Sequence, residues 1–362
     1  MLIKTICNTR VKDLCRFVAA IGVVAIAIPA HAQSSVQLYG IVDAWVGYLR
    51  LPGKTGAAEM GGGGLSTSFW GLGGHEDLGG GYQTLFAVEG FFRPQSGQYG
   101  SFNGDSFFSR NAFVGVASPY GTLTLGQQSS LLYLQSAQFN PFYASFTFSP
   151  TINQLYAGLG TYPSYRTAQG IPGGTSWGNA VQYATTSFNG LVGRVMYAFG
   201  DQAGDDRSKK VAAQATFTRG ALAVGATWQY LNFSSAPGDL GSLLRGFAVR
   251  SQTAAQLGAS YDAHVVKLFG EYTYADNQLL GSSYHVNMLQ GGAAIALGLG
   301  RVLVSYAYSR DDSMLNQMRR TASLSYDYPL SRRTDVYAGY MYDRFSGLST
   351  GSTVGAGVRT RF

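Results

Sequence analysis

The 362-residue chain has only two cysteines, Cys7 and Cys15, both close to its start. Residues 1–32 read as an export leader. Lys4, Arg10, Lys12 and Arg16 precede a short apolar run, Phe17 to Ile28, and Ala30-His31-Ala32 is a small-x-small cleavage signal. A mature chain from Gln33 has no cysteine, which excludes disulfides, thiol nucleophiles and cysteine metal sites together. The leader's apolar run falls short of the roughly 20 residues a membrane helix needs, and residues 33–362 contain no run of that length. Charge is scarce, at 12% of residues. Without its leader the chain falls from a net +7 to +4, with no like-charge run longer than a pair, so no basic nucleic-acid face is present. His75, His264 and His285 are the only mature histidines, and no two have metal-ligand spacing. A Gly-x-Ser-x-Gly elbow is missing, and neither Gly61–Gly64 nor Gly79–Gly81 has phosphate-loop spacing with a following Lys-Ser or Lys-Thr. Glu76 and Asp77 are adjacent turn carboxylates. Neither an enzyme nor a cofactor or metal site is expected.

What remains is glycine, tyrosine and a period of two. Val36-Gln37-Leu38-Tyr39-Gly40-Ile41-Val42-Asp43 alternates, as do Leu222 to Tyr230, Arg301 to Tyr308 and, less clearly, Val336 to Asp343. Large apolar residues share one face; small or polar residues share the other. Strands are expected near 36–48, 66–76, 82–92, 106–117, 121–128, 177–186, 191–199, 209–218, 221–232, 251–261, 265–275, 285–297, 301–309, 318–327, 334–343 and 353–362. Seven short turns and eight long connections alternate between these sixteen segments. The reading is an all-β, 16-stranded antiparallel transmembrane β-barrel spanning residues 33–362. Both termini lie on the short-turn side and the long loops face outward. Closure leaves no strand edge unpaired in lipid.

One stretch refuses the pattern: residues 129–175, SSLLYLQSAQFNPFYASFTFSPTINQLYAGLGTYPSYRTAQGIPGGT. Connections this long are commonly functional. It is expected to fold into the lumen and narrow the pore. Arg194, in mid-strand, would be costly facing lipid and is assigned to the lumen. Alternation places Asp43 and Glu89 there too, with Glu89 able to pair an arginine.

Several segments carry a resemblance. They are Val36 to Asp43, Trp70-Gly71-Leu72-Gly73-Gly74-His75-Glu76-Asp77-Leu78-Gly79-Gly80-Gly81, Ser109-Arg110-Asn111-Ala112-Phe113-Val114-Gly115-Val116, Tyr120 to Gly126, and the terminal Phe362. On these the chain resembles the Gram-negative general porins, trimeric sixteen-stranded outer-membrane channels. The resemblance implies a homotrimer in outer-membrane lipid and a Phe362 read by the barrel-insertion machinery. It also implies a third long loop whose carboxylates face a basic wall. This chain departs from that pattern. No Asp or Glu lies between Asp105 and Asp201. Asn140 precedes Pro141 and Phe142 where relatives often carry an acid, and Phe69 stands where an arginine usually precedes the tryptophan. Arg110 keeps its motif position, and Arg166 is the only charge in the loop.

The expected constriction is therefore neutral and aromatic, drawn from Phe69, Arg110, Phe139, Asn140, Phe142, Tyr143, Phe146, Arg166 and Arg194. Tyr133, Phe148, Tyr156, Tyr162 and Tyr165 add further rings, any of which could instead pack the loop against the wall. Carboxylate rings favour cations, so an acid-free loop opposite arginines should be neutral to weakly anion-favouring. The function implied is passive diffusion of ions and small hydrophilic or aromatic solutes. Alternatives are a solute-selective porin for aromatic or anionic compounds and a closed barrel serving surface structure or adhesion.

Overall fold

Two-residue alternation becomes a wall with chemically distinct faces. The computed structural model describes residues 35–157, 174–200, 209–232, 249–279, 281–314 and 316–362. The expected leader, together with Tyr162, Tyr165 and Arg166, lies outside these residues. The strands are β1 (Ser35–Arg50), β2 (Ala57–Gly62), β3 (Phe69–Gly79), β4 (Tyr82–Arg93), β5 (Gln98–Tyr99), β6 (Asn111–Ser118) and β7 (Gly121–Ser129). Two helices follow, α1 (Leu131–Gln138) and α2 (Pro150–Leu155). The strands resume as β8 (Ser176–Thr185), β9 (Leu191–Ala198), β10 (Lys210–Arg219), β11 (Leu222–Asn232), β12 (Val249–Asp262) and β13 (Val266–Leu279). They end with β14 (Ser283–Leu297), β15 (Gly300–Asp311), β16 (Met318–Pro329), β17 (Thr334–Phe345) and β18 (Gly351–Arg361).

These eighteen segments make sixteen staves. β2 and β3 both pair with β1, as upper and lower halves of one stave, and β5 pairs only with the end of β4. All ladders are antiparallel between neighbours, and β18 returns to β1 from Ile41↔Arg361 to Arg50↔Ser352, closing the sheet. Closure matters because an unpaired backbone group in hydrocarbon costs several kcal/mol. At the seam Gly40 and Phe362 exchange backbone hydrogen bonds of 3.2 Å in both directions.

Three expected strand bounds differ from the structure. Residues 57–62 were expected within a long connection, yet they pair with β1 as β2. The strand expected from 66 resumes only at Phe69, because residues 63–68 leave the ladder. Asp43 draws them away, its carboxylate accepting backbone N–H bonds from Gly64 (3.0 Å), Leu65 (2.9 Å) and Ser66 (2.8 Å). Gly63 makes the corner with φ +77°, a conformation only glycine adopts cheaply. The glycine run hides this interrupted strand because it carries no alternation. The strand expected from 106 begins at Asn111. Before it, Phe107 and Phe108 pack edge-on at 4.9 Å and both rings meet Trp70.

One face exposes Val46, Val114, Leu257, Leu289, Leu324 and Tyr340. The other buries Gln229, Gln256, Ser309, Thr321 and Ser325. The apolar core lies between the polar wall face and the segment carrying α1 and α2. Leu131 packs with Trp177 and Met196, Leu132 and Leu155 with Tyr284 and Met288, and Phe142 and Phe148 with Trp45, Leu303 and Tyr337.

The connection after β15 is tied down by Asp312, which accepts from the backbone N–H of His285 at 2.6 Å and lies 2.8 Å from its ring nitrogen. The backbone bond first, and then the ring, hold the Asp312 carboxyl below the usual carboxylate range. A group with a lowered folded pKa stabilises the fold above its unfolded value and loses that contribution as pH falls through the folded one. Residues 312–317 should therefore become more susceptible to proteolysis below about pH 4 than at pH 7. Asp312→Asn should flatten that dependence; an unchanged pH profile in the variant would count against the tether.

Candidate functional site

The helices of the long segment start where serine caps them. Ser130 accepts from the Tyr133 N–H and Ser149 from the Ile152 N–H, with Pro150 opening α2. Asn140-Pro141 ends the α1 region, since a residue before proline is pushed out of helical geometry. Asn140 is buried and uses its whole amide. Its Nδ2 donates to the carbonyls of Ser136 and Tyr143, and its Oδ1 accepts from the Phe142 N–H (2.9 Å) and from Ser149 Oγ (3.2 Å). A carboxylate here could not donate to two carbonyls, which explains why an acid at this position would not serve the same turn.

The segment meets the polar face at widely separated staves. Gln135 Nε2 donates to the Gln256 carbonyl (2.9 Å) and its Oε1 accepts from Thr227 Oγ1 (2.7 Å), while Gln214 donates to the Leu131 carbonyl (3.0 Å). On β15 and β16, Gln154 Nε2 donates to the Ala307 carbonyl (3.0 Å) and to Thr321 Oγ1 (2.9 Å). Between them, Ser145 and Thr147 donate to the carbonyls of Gly64 and Gly63, in the excursion that Asp43 holds.

The expected constriction residues separate into two groups. Phe139 and Phe142 are buried against the wall and are not available to a solute. Phe139 sits in a notch between the register partners Gly225 and Gly258; a β-carbon on Gly258 would lie 2.3 Å from its ring. Phe148 and Tyr133 are buried as well. Tyr143 is exposed, with φ +48°, and Phe146 is partly exposed.

The expected lumenal acids are also buried. Asp43 is the clamp described above, further held by the Tyr337 hydroxyl. Glu89 accepts from Tyr39 (2.6 Å), Arg110 and Asn111. The Arg110 guanidinium also lies over the Phe69 ring at 4.1 Å, so the phenylalanine in the arginine position serves as a platform for the next arginine. Arg194 shares the polar face, bonded to Gln214 at 3.0 Å and with no carboxylate partner among the described residues. Phe362 is exposed beside the seam.

Four further arginines stand on this face and were not singled out from sequence. Arg319 is buried and grips Asp343 with two bonds of 3.0 and 2.7 Å, while its Nη1 donates to the Asn153 carbonyl at the end of α2. Lower on the wall, Arg359 bonds Asp335 and Asp327, Arg301 bonds Asp327, and Arg361 bonds Asp335. The avoidance of lipid by a charge within a strand, which assigns Arg194 to the polar side, points to Arg359; Arg301, Arg319 and Arg361 stand at strand ends, where the lipid cost is small and the sequence does not choose a face.

A family model for Gram-negative porins matches residues 18–348. The chain belongs to the Gram-negative porin family. It is 28% identical to an outer membrane porin protein of Bordetella pertussis, across 92% of this chain and 96% of that one. Outer membrane porin protein 32 of Delftia acidovorans is also 28% identical, over 91% and 90%. In fold it is similar to an anion-selective porin from Comamonas acidovorans, with a TM-score of 0.76 and 23% identity over 91% of this chain and all of that one. It is likewise similar to the trimer form of OmpT, an outer membrane protein of Vibrio cholerae, at TM-score 0.63 and 14% identity over 91% and 99%. This porin therefore resides in the outer membrane, and its exposed apolar face is the lipid-facing side.

Removing one member of a buried ion pair strands the other, at a cost of about 3–5 kcal/mol. Arg319→Met should lower the porin's stability in detergent by that amount, and adding Asp343→Leu should recover most of the loss. Adding a methyl group beneath Phe139, with Gly258→Ala, should cost about 1–3 kcal/mol. In a Phe139→Ala background the same change should cost almost nothing, and denaturant titration of the four proteins would show whether the two sites couple.

Proposed function

We propose that the porin is a passive diffusion channel whose lumen is narrowed by the segment carrying α1 and α2, and that it favours anions. The observation that supports this most directly is which charges water can reach. Arg301 is 54% exposed while its partner Asp327 is 5% exposed. Arg361 is 40% exposed against 9% for Asp335, and Arg110 is 27% exposed against 6% for Glu89. Each carboxylate lies behind a guanidinium, so a permeating ion meets positive charge first. Arg194 adds a cation without an ion-pair partner among the described residues. Fields from rings of charge set selectivity, and positive ones attract anions. The similar porin from Comamonas acidovorans is anion-selective, which agrees with this reading.

The contacts of Gln135 and Gln154 with well-separated staves support a segment that crosses the lumen. Tyr143 and Phe146 are the described loop aromatics best placed to touch a solute, which gives flat solutes a stacking surface. Export with cleavage after Ala32, use of Phe362 by the insertion machinery, and assembly as a homotrimer complete the proposal; the trimer form of the Vibrio relative supports the last.

In planar bilayers under a salt gradient the zero-current potential should have the sign of anion preference. Arg301→Gln with Arg361→Gln should shift it toward cations, because Asp327 and Asp335 lose their cover. A wild-type channel with strong cation preference would overturn the selectivity, and the absence of any ohmic open level would overturn the channel itself.

A further inference from the structure

Asparagine followed by glycine occurs twice in the chain, at Asn103-Gly104 and Asn189-Gly190. Glycine has no β-carbon to keep its amide nitrogen away from the asparagine side chain, so the backbone can attack that side chain's carbonyl carbon. Both asparagines are exposed, but their turns differ. Asn189 and Gly190 form a tight hairpin turn with φ +50° and +92°, and Phe188 and Leu191 exchange two backbone bonds of 2.9 Å across it. The Gly190 carbonyl also accepts from the Thr218 N–H at 3.0 Å, and a β-carbon on Gly190 would lie 2.2 Å from the Thr218 carbonyl oxygen. That peptide has no room to rotate.

Asn103 and Gly104 are at the centre of a looser turn in the connection between β5 and β6. One bond of 3.3 Å, from the Asp105 N–H to the Phe102 carbonyl, closes it. A β-carbon on Gly104, where φ is +87°, would meet nothing within 4 Å. The Asn103 side chain is nonetheless held. Arg93 Nη1 donates to its Oδ1 at 2.7 Å, and Nη2 donates to the Tyr99 carbonyl at 3.4 Å. Among the described residues Arg93 has no carboxylate partner, because Asp105 is used by the N–H and hydroxyl of Ser101 and by the Ser106 N–H. Arg93 lies four residues after Glu89 on β4, so the two side chains leave the same, polar face.

We propose that Asn103 is a self-modification site, at which the folded porin converts a neutral amide into a carboxylate for Arg93. The Gly104 nitrogen bonds to Asn103 Cγ and gives up its proton. The Cγ–Nδ2 bond breaks, and ammonia leaves with that proton. Water then adds to one carbonyl of the resulting five-membered imide and breaks its bond to the ring nitrogen, which regains a proton. An aspartate or isoaspartate carboxylate remains and one proton is released. Arg93 assists because Oδ1 carries negative charge while ammonia leaves, and a guanidinium already bonded to that oxygen stabilises the charge. The product carboxylate then pairs with Arg93, so the outer end of the polar face loses one uncompensated cation.

Incubation of the detergent-purified porin at mildly alkaline pH, followed by peptide mass mapping and enzymatic methyl labelling of isoaspartate, tests this. Conversion at Asn103 should exceed that at Asn189 at least tenfold. Gly104→Ala should slow it at least tenfold, and Arg93→Gln by about tenfold, less than the roughly 100-fold that an enclosed oxyanion donor supplies. Unchanged conductance would show that both variants are folded. A second arm needs no variant: in the wild type unfolded by urea, the two sites should convert at similar rates. Equal conversion at the two sites in the folded porin, an Arg93→Gln rate equal to or above the wild type's, or a difference that persists in urea would each overturn the assignment.

Discussion

Everything in this porin depends on the first strand meeting the last. A β-sheet in lipid has no water to satisfy its edges, and only a closed ladder removes them. Once β1 pairs with β18, the two faces of every stave are assigned: one to lipid, the other to an enclosed interior. The exposed valines, leucines and tyrosines are then ordinary, and the buried glutamines, threonines and serines are the specialised surface.

That polar surface is used chiefly to hold a segment in place. Amides from the wall and amides from the helices exchange bonds, as Gln214, Gln135, Gln256 and Gln154 show. Apolar rings fill the spaces between. Phe139 needs two glycines beneath it, and Phe148 rests near a third, Gly339. A loop without carboxylates can lie against such a wall without burying unpaired charge. At the lower end of the wall, Arg301 and Arg361 stand nearer to water than the aspartates they bond, Asp327 and Asp335.

Much of the barrel was legible in the sequence because its signal is local. Alternation, turn spacing and an even strand count need only neighbouring residues. The interrupted stave at residues 57–69 was not legible, because its cause is a carboxylate in a different strand. The helices α1 and α2 were missed although Ser130 and Ser149 mark their starts, since both are shorter than a full amphipathic pattern. Motif position points to Arg110 and alternation to Glu89, but their bond depends on the pairing of β4 with β6, which no local pattern carries. Phe139, Asn140 and Phe142 were chosen for their place in the loop, and sequence carries no sign of which ring faces the wall. Arg359 lies within reach of the same lipid-avoidance rule that assigns Arg194, whereas Arg301, Arg319 and Arg361 stand at strand ends, where that rule is weak.

The Asp43 clamp carries a consequence for the order of assembly. Its carboxylate is shared between the backbone of residues 64–66 and the hydroxyl of Tyr337, a residue 294 positions away. Contacts this distant form only after the intervening chain has been brought together, and such closures are slow. The excursion that Asp43 holds is also the shelf to which Ser145 and Thr147 bond. The segment carrying α1 and α2 is thus fastened to a point completed only when the cylinder closes. In a half-built barrel the Tyr337 bond to Asp43 would still be missing, and the shelf beneath Ser145 and Thr147 would gain its last support only as the wall closes.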